Sequence, residues 1–427
     1  MKILVIDSRG RGATLAEKYL KNKNVAEVLV IPGNDLLLIN KKVRIFSDIK
    51  LNDISKILEI AKNEKVDLVD VAQDDAIAEG LVDLLQMSKV KAFGPTKKAA
   101  QIEWDKSFAR KFMKTFKLPI PAYKIFKSQK LAIKYLKTRN DQEYYVKAAG
   151  LAGGKGAIYA SNQSEAIDAV KEMAEFGSSG KTFLIEEKLD GEEFSAFAMV
   201  NGTKFVILGY AQDHKTAYDG NLGPNTGGMG CSSPPLIITP KIEKQIELIF
   251  KKTVNGLVKL KRSYLGILYL GGIIENGDVK VIEFNARWGD PEAQVVIPAI
   301  KSDYLDLVLS ALKGKFIKVK KDKVYRIVVT AASKGYPINY SKVIGKEIKG
   351  LDKLLKSKIK IYGAQAKKSG IKYIAGGGRL FYVVGEGNNV IQARRKVYNA
   401  LLKISISGNN LHYRKDIGYR DLARETK

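Results

Sequence analysis

The chain has 427 residues, 45% of them hydrophobic, and its 73 lysines and arginines outnumber its 45 aspartates and glutamates to give a net charge of +28. No apolar run reaches the roughly 18 to 20 residues of a membrane span, and the single cysteine, Cys231, excludes an intramolecular disulfide and a cysteine-built metal site. The length predicts two to four domains. The opening MKILVIDSRG has a short apolar strand instead of a long signal-peptide core, so we expect a cytoplasmic protein with no membrane partner.

The positive charge is compatible with two interpretations. A polyanion-binding protein would use it to hold nucleic acid. The lysines, however, are dispersed along the chain, and the sequence has neither an arginine-rich arm nor zinc-finger spacing. We therefore expect no specific nucleic-acid partner, and a solvated lysine-rich surface that helps to gather phosphorylated small molecules.

The first hundred residues alternate between strand-like and helix-like segments. Short β-branched runs such as KILVID, AEVLVIP and VDLVDVA are separated by amphipathic stretches such as DISKILEIAKNEK. This alternation is typical of βαβ units, in which helices cover both faces of a parallel sheet. We therefore predict an N-terminal parallel α/β domain over residues 1–103.

The remaining chain mixes helices with longer strands. Phe108, Phe112 and Phe116 recur at a helical spacing, and strands and helices then mix to about residue 193. Beyond it, long runs such as EEFSAFAMVNG and GILYLGGIIENG are joined by hairpin turns, which predicts an α+β architecture. The expected segments are 104–193, 194–325 and a small β-rich domain at 326–427.

The first candidate site is the glycine-rich stretch KAAGLAGGKGAIYA, residues 147–160. Its glycines allow backbone N–H groups to approach an anion closely, and Lys155 would neutralise part of the negative charge. A phosphate cradle and a flexible hairpin loop fit this pattern equally well. The stretch is not a P-loop, because Gly156 stands where that motif needs a hydroxyl and because two strands are expected to flank it.

The second candidate is VKVIEFNARWGDPE, residues 279–292. Side chains two apart in a strand share a face, so Glu283, Asn285 and Arg287 point one way while the alternate residues, starting at Ile282, pack on the other. Mg²⁺ binds a few protein oxygens together with nucleotide phosphates, and an arginine beside it could hold a second anion. A solvated edge strand is the alternative, but it would not explain why Gly-Asp-Pro-Glu follows at once.

Two further polar stretches extend the pattern. AQDHKTAYDGNLGPNTGGMG, residues 211–230, combines five glycines with charges of both signs, so its backbone could meet a small anionic ligand. His214 in this stretch has no second histidine or cysteine near it, which favours structural hydrogen bonding over metal binding. FLIEEKLDGEEFS, residues 183–195, places carboxylates at strand ends, where they usually face water but can also accept from ribose hydroxyls.

Together these four stretches resemble the phosphoribosylamine–glycine ligases, also called glycinamide ribonucleotide synthetases, of the ATP-grasp superfamily. The likeness continues into GGGRLFYVVGEG and HYRKDIGYRDL and covers nearly the whole chain. The resemblance implies an N-terminal parallel α/β (pre-ATP-grasp) domain, a two-part ATP-grasp fold and a small β-rich C-terminal domain. It also implies that ATP, glycine and 5-phosphoribosylamine give glycinamide ribonucleotide, ADP and phosphate through a glycyl phosphate, in purine biosynthesis.

The resemblance also assigns roles to residues by position. Residues expected to bind ATP are Lys106, Lys147, Gly150, Gly153, Gly154, Lys155, Gly156, Glu186, Glu187, Leu189 and Glu193. Residues expected to bind glycine or 5-phosphoribosylamine are Gly10, Arg11, Asp213, Lys215, Asn225, Thr226, Gly228, Arg287 and Asp290. Residues expected to act in catalysis are Arg287, Lys155 and Asp213, and the expected ligands of Mg²⁺, or of Mn²⁺ in its place, are Glu283 and Asn285.

Two loops depart from the family pattern. Where the family has a glycine-rich turn followed by Arg-Glu-His, residues 7–13 read DSRGRGA, so that only Gly10 and Arg11 fit. Where the family has Gly-Pro-Glu, residues 72–74 read AQD. Both loops follow strands of the predicted parallel sheet, at the edge where open α/β sheets bind ligands. An ATP-grasp ligase for a different amine or amino acid is therefore an open alternative. We expect a monomer or a weak homodimer.

Overall fold

The computed structural model of the chain describes residues 1–153 and 156–426. Within them, a five-stranded parallel sheet, a four-stranded antiparallel sheet and a nine-stranded antiparallel sheet organise the fold. This mixture confirms the predicted fold class, parallel α/β at the N-terminal end followed by α+β. Gly154 and Lys155, which we expected to bind ATP, lie outside the described residues.

The N-terminal sheet is built from short buried runs of valine, isoleucine and leucine separated by helices. Its elements are β1 (Lys2–Asp7), α1 (Gly10–Tyr19), β2 (Glu27–Pro32), β3 (Val43–Ile45), α2 (Ile54–Asn63), β4 (Leu68–Val71), α3 (Asp74–Glu79), α4 (Leu81–Met87) and β5 (Ala92–Phe93). The strand order is β3-β2-β1-β4-β5, and every pair is parallel. Because the order reverses beside β1, a ligand crevice is expected at the carboxyl ends of β1 and β4.

The second sheet has the strand order β6-β9-β7-β8, with all pairs antiparallel. The elements of this segment are α5 (Gln101–Trp104), α6 (Lys106–Thr115), β6 (Tyr123–Phe126), α7 (Gln129–Leu136), β7 (Tyr144–Ala148), β8 (Ala157–Ala160), α8 (Gln163–Glu172) and β9 (Phe183–Glu187). Asp105 begins α6 by accepting from the N–H groups of Ser107 and Phe108, which places Lys106 in the first turn.

The largest sheet carries most of the remaining chain. Its segment up to residue 312 contains β10 (Glu192–Asn201), β11 (Lys204–Asp213), β12 (Thr216–Tyr218), β13 (Leu222–Asn225), β14 (Gly230–Ser233), α9 (Pro240–Lys259), β15 (Leu265–Glu275), β16 (Asp278–Asn285), α10 (Ala293–Ala299) and α11 (Tyr304–Leu312). The later elements are β17 (Tyr325–Ser333), β18 (Ile348–Lys349), α12 (Leu351–Leu355), β19 (Lys360–Gly363), β20 (Ala366–Ser369), β21 (Lys372–Ala375), β22 (Arg379–Gly387), α13 (Val390–Leu401), β23 (Ser405–Ile406), β24 (Leu411–His412) and α14 (Tyr419–Glu425).

The order in this sheet is β16-β15-β10-β11-β14-β17-β22-β19, with β24 also pairing β17. Strand β14 pairs with β11 on one side and with β17 on the other. The sheet therefore runs without a break across residue 326, where we predicted a domain boundary. As a result, β22 at the C-terminal end and β11 in the middle of the chain are part of one hydrogen-bonded surface.

The longest helix among the described residues is α9, with 20 residues. Its buried face includes Ile242, Ile246 and Phe250, and the remaining positions are largely lysine and glutamate. Neither α9 nor any other described helix has an apolar stretch long enough to cross a bilayer.

Gly385 in β22 lies against α13, so a larger side chain at this position tests how tightly that helix packs on the large sheet. A Cβ at this position would lie 2.1 Å from the carbonyl oxygen of Ala393 and 2.9 Å from the backbone nitrogen of Val397. Gly385→Val must therefore push the helix away, and we expect the free energy of unfolding in urea to fall by about 1–3 kcal/mol. Lys396→Ala, an exposed change on the same helix, should alter it by less than about 0.5 kcal/mol. Equal effects would contradict this packing.

Candidate functional site

The candidate site lies where the start of α6, the end of β7, the end of β11 and the end of β16 meet. The backbone N–H of Lys106 donates to the carbonyl of Ala149 at 2.8 Å, which holds the first turn of α6 against the end of β7. Lys106, Lys147 and Lys215 are all close enough to Glu283 for their charges to act on its carboxyl group. Residues from distant parts of the chain are therefore brought together around one carboxylate.

Glu283 is held in its ionised form by this environment. Burial would raise the pKa of its carboxyl group, but the positive charges of Lys215, Lys106 and Lys147 outweigh burial and lower that pKa. Two residues further along β16, Asn285 donates from Nδ2 to Oε1 of Glu283 at 3.3 Å. The carboxylate and the amide therefore lie side by side, as the strand periodicity predicts.

Glu283 and Asn285 offer hard oxygen donors of the kind that Mg²⁺ or Mn²⁺ takes. Across residues 1–153 and 156–426, no cluster of three or more histidine, cysteine, aspartate or glutamate side chains could hold a metal by itself. Two protein ligands leave most coordination positions to other oxygens, such as those of nucleotide phosphates. The pair therefore fits a metal that protein and substrate hold together.

β16 carries a bulge directly before Glu283. Glu283 pairs with Gly271 of β15, and Val281 pairs with the adjacent residue, Gly272, so that Ile282 is an extra residue in β16. The alternation predicted across this segment is therefore interrupted at Ile282 and holds from Glu283 onward. Bulges of this kind change the direction in which the following side chains point.

Glu186, which we expected to bind ATP, is buried and bonded to two cations. Its Oε1 accepts from Nε of Arg110 at 2.5 Å, and its Oε2 accepts from Nη2 of Arg110 and from Nζ of Lys147, both at 2.7 Å. Burial opposes ionisation, but Lys147 and Arg110 lower the pKa of Glu186 to about 2. The carboxylate of Glu186 therefore holds Lys147 in place.

The other residues expected to contact ATP on this side lie at the end of β9 and the start of β10. Glu187 is exposed and Leu189 is half-buried. Glu193 accepts a hydrogen bond from Nζ of Lys215 at 2.9 Å, and Lys215 lowers the pKa of its carboxyl group. Glu193 is thereby joined to the lysine cluster, and the contact of all three residues with ATP stays a prediction.

The glycine-rich loop joins β7 to β8 and is anchored at its start. The N–H of Gly150 donates to the carbonyl of Ser179 at 3.1 Å, and the hydroxyl of Ser179 donates to the carbonyl of Leu151 at 2.7 Å. A Cβ at Gly150 would lie 2.8 Å from Oγ of Ser179, and Gly153 has a φ of +58°, a conformation that favours glycine. Gly156 is buried where the loop enters β8. The antiparallel strands on both sides exclude a P-loop, as predicted.

Arg287 is oriented by two carboxylates from the N-terminal part of the chain. Its Nη2 lies 2.8 Å from Oε1 of Glu103 and 3.6 Å from Oδ2 of Asp74. The other oxygen of Glu103 accepts from the N–H of Ala286 at 2.7 Å, and burial raises the pKa of Glu103 to about 7 against the charge of Arg287. Nε of Arg287 is buried and has no hydrogen-bond partner among the described residues.

The turn after β1 is filled by its own side chains. Arg11 is buried and donates from Nε to Oδ1 of Asp7 at 2.5 Å, from Nη1 to the carbonyl of Trp288 at 2.9 Å, and from Nη2 to Oε1 of Gln73 at 2.7 Å. Oδ2 of Asp7 accepts from the N–H of Gly12 at 2.9 Å. The departures from the family pattern at residues 7–13 and 72–74 are therefore mutually consistent. A direct contact between Arg11 and a substrate stays a prediction.

The two ends of the stretch 211–230 lie together at the candidate site. There, a Cβ at Gly228 would lie 3.1 Å from Oδ1 of Asp213. The middle forms the β12–β13 hairpin, on which Asn225 is exposed. The hydroxyl of Thr226 donates to the carbonyl of Lys215 at 2.7 Å and accepts from the N–H of Gly228 at 3.0 Å. Thr226 therefore shapes the loop around Lys215, and the contact of Asn225 with a substrate stays a prediction.

Asp213 lies near a second buried carboxylate, Glu292, which the sequence motif contains but which we did not single out. Burial and the negative charge of Glu292 raise the pKa of Asp213 well above its ordinary value. Oε1 of Glu292 accepts from the hydroxyl of Tyr269 at 2.8 Å and from that of Ser195 at 3.3 Å. Asp213 therefore binds a proton more strongly than an exposed aspartate does.

Asp290 connects the site to β22. Its Oδ2 accepts from the hydroxyl of Tyr382 at 2.6 Å and lies 3.0 Å from Nη2 of Arg379, and its Oδ1 accepts from Nε2 of Gln294 at 2.6 Å. Gly10 packs so closely on Gln294 and Tyr382 that a Cβ there would lie within 2.5 Å of both. Arg379 and Tyr382 come from the stretch GGGRLFYVVGEG, and only the folded chain reveals their place beside Asp290.

Sequence reasoning also missed Glu103 and Arg110. Arg110 lies one helical turn after Lys106 on α6, which is a local signal that could have identified it, whereas the extended residue Asp105 separates Glu103, on α5, from that helix. Their partners, at Ala286 and Glu186, are 183 and 76 residues away, and no local pattern indicates such pairs.

His214 has a structural place. Its Nε2 accepts from the N–H of Gly418 at 3.4 Å, and burial together with the charges of Arg414 and Arg420 lowers its pKa to about 3. Arg414 is itself fully buried and donates to Oγ1 of Thr216 at 2.8 Å. The stretch HYRKDIGYRDL therefore holds the β12–β13 hairpin and its flanks.

Comparison with protein families matches three consecutive segments of the chain. Residues 1–103 match the family described as phosphoribosylglycinamide synthetase, N domain. Residues 104–293 match its ATP-grasp (A) domain, and residues 326–420 match its C domain. Together these matches cover well over half of the chain.

Individual proteins agree with this result. The chain is 39% identical over 424 residues to a phosphoribosylamine–glycine ligase of Streptococcus pneumoniae, covering 98% of this chain and 99% of that protein. It is 38% identical over 427 residues to one of Halalkalibacterium halodurans, covering 99% and 98%.

Solved structures show the same likeness. The crystal structure of a phosphoribosylamine–glycine ligase from Thermotoga maritima matches with a TM-score of 0.83 at 29% identity, covering 98% of this chain and 100% of that chain. The biotin carboxylase domain of a Hydrogenobacter thermophilus 2-oxoglutarate carboxylase, solved with ADP, magnesium and bicarbonate, matches with a TM-score of 0.72 at 15% identity, covering 96% and 91%. At that identity the likeness shows a shared fold.

The buried, neutral His214 should make stability depend on pH. Its pKa is about 3 in the folded protein and about 6.5 when unfolded, so between these values the unfolded state binds more protons and stability falls as pH falls. We expect His214→Gln to remove this contribution, so that from pH 7 to pH 5 the unchanged protein loses about 2 kcal/mol more unfolding free energy than the variant. Urea unfolding at both pH values measures the difference. Parallel pH dependences would contradict a buried neutral imidazole.

Proposed function

Because the chain belongs to the phosphoribosylamine–glycine ligase family, we propose that it joins glycine to 5-phosphoribosylamine and converts ATP to ADP and phosphate. The product would be glycinamide ribonucleotide, formed in purine biosynthesis. The observation that carries this proposal is the convergence of Lys106, Lys147 and Lys215 on Glu283, in a chain that matches the family over nearly its whole length.

Activation of glycine is the first proposed step. A carboxylate is a poor electrophile, so its oxygen would attack the γ-phosphorus of ATP, forming glycyl phosphate and releasing ADP. Lys106 and Lys147 would offset negative charge around the transferring phosphoryl group. Mg²⁺, or Mn²⁺ in its place, held by Glu283 and Asn285, would supply further positive charge at the phosphates.

Amide formation is the second proposed step. The amine of 5-phosphoribosylamine attacks the carbonyl carbon of glycyl phosphate, a C–N bond forms, the C–O bond to phosphate breaks, and the nitrogen loses a proton. The positive charge of Arg287 could stabilise the oxyanion of this intermediate. Asp213, at the end of β11, could receive the proton.

Exclusion of water is needed between these steps, because glycyl phosphate would otherwise hydrolyse. We propose that the loop of residues 150–156, of which Gly154 and Lys155 lie outside the described residues, closes over the phosphates and reopens. The remaining predicted contacts belong to the same proposal: the end of β9 and Glu193 with the nucleoside, and Gly10, Arg11, Asn225, Gly228 and Asp290 with the other two substrates.

We also propose an oligomeric state, binding partners and a cellular location for the protein. We propose a monomer or a weak homodimer. Substrates are small molecules, without a nucleic-acid or membrane partner. A cytoplasmic location suits an enzyme that uses ATP and a purine precursor.

A second candidate function is a related ATP-grasp ligase for a different amine or amino acid. The observation in its favour is that Asp7 occupies the turn after β1, where the family has a different loop, and that Arg11 is bonded to Asp7, Gln73 and Trp288. Full activity with the family substrates would remove this candidate.

ADP release from the purified protein should require all the proposed reactants. A panel that omits ATP, glycine, freshly generated 5-phosphoribosylamine or Mg²⁺ one at a time should reduce the rate to background in every case. Addition of other amines or amino acids to the glycine-free and amine-free mixtures tests the second candidate. Turnover with another amine and none with 5-phosphoribosylamine would refute the proposed substrate and retain the reaction class.

Glu283→Gln should impair the reaction at ordinary Mg²⁺ concentrations. The amide is a weaker ligand than the carboxylate, so we expect kcat/KM to fall by about 100-fold, while thermal unfolding changes little because the packing face of β16 is untouched. Asp278→Asn, at the exposed start of the same strand, serves as the control and should keep normal activity. A fully active Glu283→Gln variant would contradict the metal assignment.

A further inference from the structure

Arg110 joins three separate segments of the chain through one guanidinium group. It lies on α6 and is only 3% exposed. It forms a bidentate pair with Glu186 on β9, at 2.5 and 2.7 Å. The same group donates from Nη2 to the carbonyl of Ile282 at 2.8 Å and from Nη1 to the carbonyl of Val281 at 3.4 Å, both on β16.

The two carbonyls that Arg110 binds belong to the bulge in β16. Ile282 is the extra residue of that bulge, and the strand regains its register at Glu283. β16 is at the edge of the sheet among the described residues, and on its outer side the carbonyl of Pro119 accepts from the N–H of Val281 at 2.7 Å. A bulge sets the direction of the side chains that follow it. The guanidinium therefore holds the backbone immediately before Glu283.

The other end of this contact belongs to the proposed nucleotide side of the site. β9 is part of the four-stranded sheet, whereas β16 is at the edge of the nine-stranded sheet. Glu186 also accepts from Lys147 at 2.7 Å, so that the pair Arg110–Glu186 and this lysine form one unit. A buried ion pair of this kind contributes little to stability compared with apolar side chains of similar size, but it fixes the geometry of the groups that it joins.

We infer that Arg110 is a positioning residue, which aims Glu283 by clamping the β16 bulge to Glu186 on β9. This inference rests on the proposed function, since it gives Glu283 and Asn285 a divalent cation to bind together with a nucleotide. In this inference Arg110 itself contacts neither the cation nor the nucleotide. Its effect is to keep the metal-binding oxygens at a constant distance from the strand expected to hold the nucleoside.

Arg110→Lys is the informative change. Lysine keeps the positive charge beside Glu186, but it lacks the planar fork that reaches the carboxylate and two carbonyls at once. Glu186 keeps Lys147 as a partner, so no buried carboxylate is left without a cation. Lys111→Ala, an exposed change at the next position of α6, is the matched control.

The experiment measures binding of Mn²⁺ and of nucleotide separately. Electron paramagnetic resonance reports the affinity for Mn²⁺ in the presence of saturating ADP, and calorimetry reports the affinity for ADP without metal. For Arg110→Lys we expect the affinity for Mn²⁺ to fall by about tenfold or more, as removal of groups that orient metal ligands commonly does. The affinity for metal-free ADP should change by less than about threefold, and Lys111→Ala should match the unchanged protein in both.

Other outcomes would overturn the inference, call for a second variant or refute the proposed function. If Arg110→Lys binds Mn²⁺ as the unchanged protein does, or loses metal-free ADP and Mn²⁺ to the same extent, the inference is overturned. If Arg110→Lys does not fold, as judged by its unfolding transition, Arg110→Gln, which can still donate to one carbonyl, decides the question by the same two measurements. If the unchanged protein does not bind Mn²⁺ with ADP at all, the proposed function itself fails.

Discussion

The candidate site depends on holding the ammonium groups of three half-buried lysines close together. Their mutual repulsion would be unfavourable in a medium of low dielectric constant, and the chain offsets it with carboxylates. Glu186 binds Lys147, Glu193 binds Lys215, and Glu283 lies within the field of all three lysines. The balance keeps Glu283 ionised and leaves positive charge available to a polyphosphate, in a protein whose net charge is already +28.

Buried ion pairs elsewhere around the site act mainly on geometry. Glu103 fixes both the guanidinium of Arg287 and the N–H of Ala286, and Asp7 fixes Arg11, whose Nη1 reaches the carbonyl of Trp288. Each pair joins the N-terminal region to the loop after β16. Such pairs add little net stability, because desolvation offsets the Coulomb attraction, but they restrict the orientation of the groups that they bind.

The N-terminal turn, residues 7–13, departs from the family pattern in sequence but forms a consistent set of contacts in the folded chain. Considered alone, DSRGRGA differs from the family pattern at most positions. In the folded chain, Gly12 leaves room for the carboxylate of Asp7, a Cβ there lying 2.8 Å from Cβ of Asp7, and Gln73 supplies an acceptor for Arg11. The side chains of this turn therefore bind one another, and Arg11 holds the loop that carries Arg287 through the carbonyl of Trp288.

The order of residues along the chain was enough to predict the parallel N-terminal sheet, the shared face of Glu283 and Asn285, and the family. These features follow from local periodicity, from nearby residues or from contiguous motifs, which a linear sequence contains. Only the tertiary structure decided that β14 joins the middle of the chain to β17, that Ile282 forms a bulge, and that Glu103 and Arg110 support the site. These features depend on how strands pair and sheets pack, including a hydrogen bond between residues 183 positions apart, and no local pattern indicates which residues become partners.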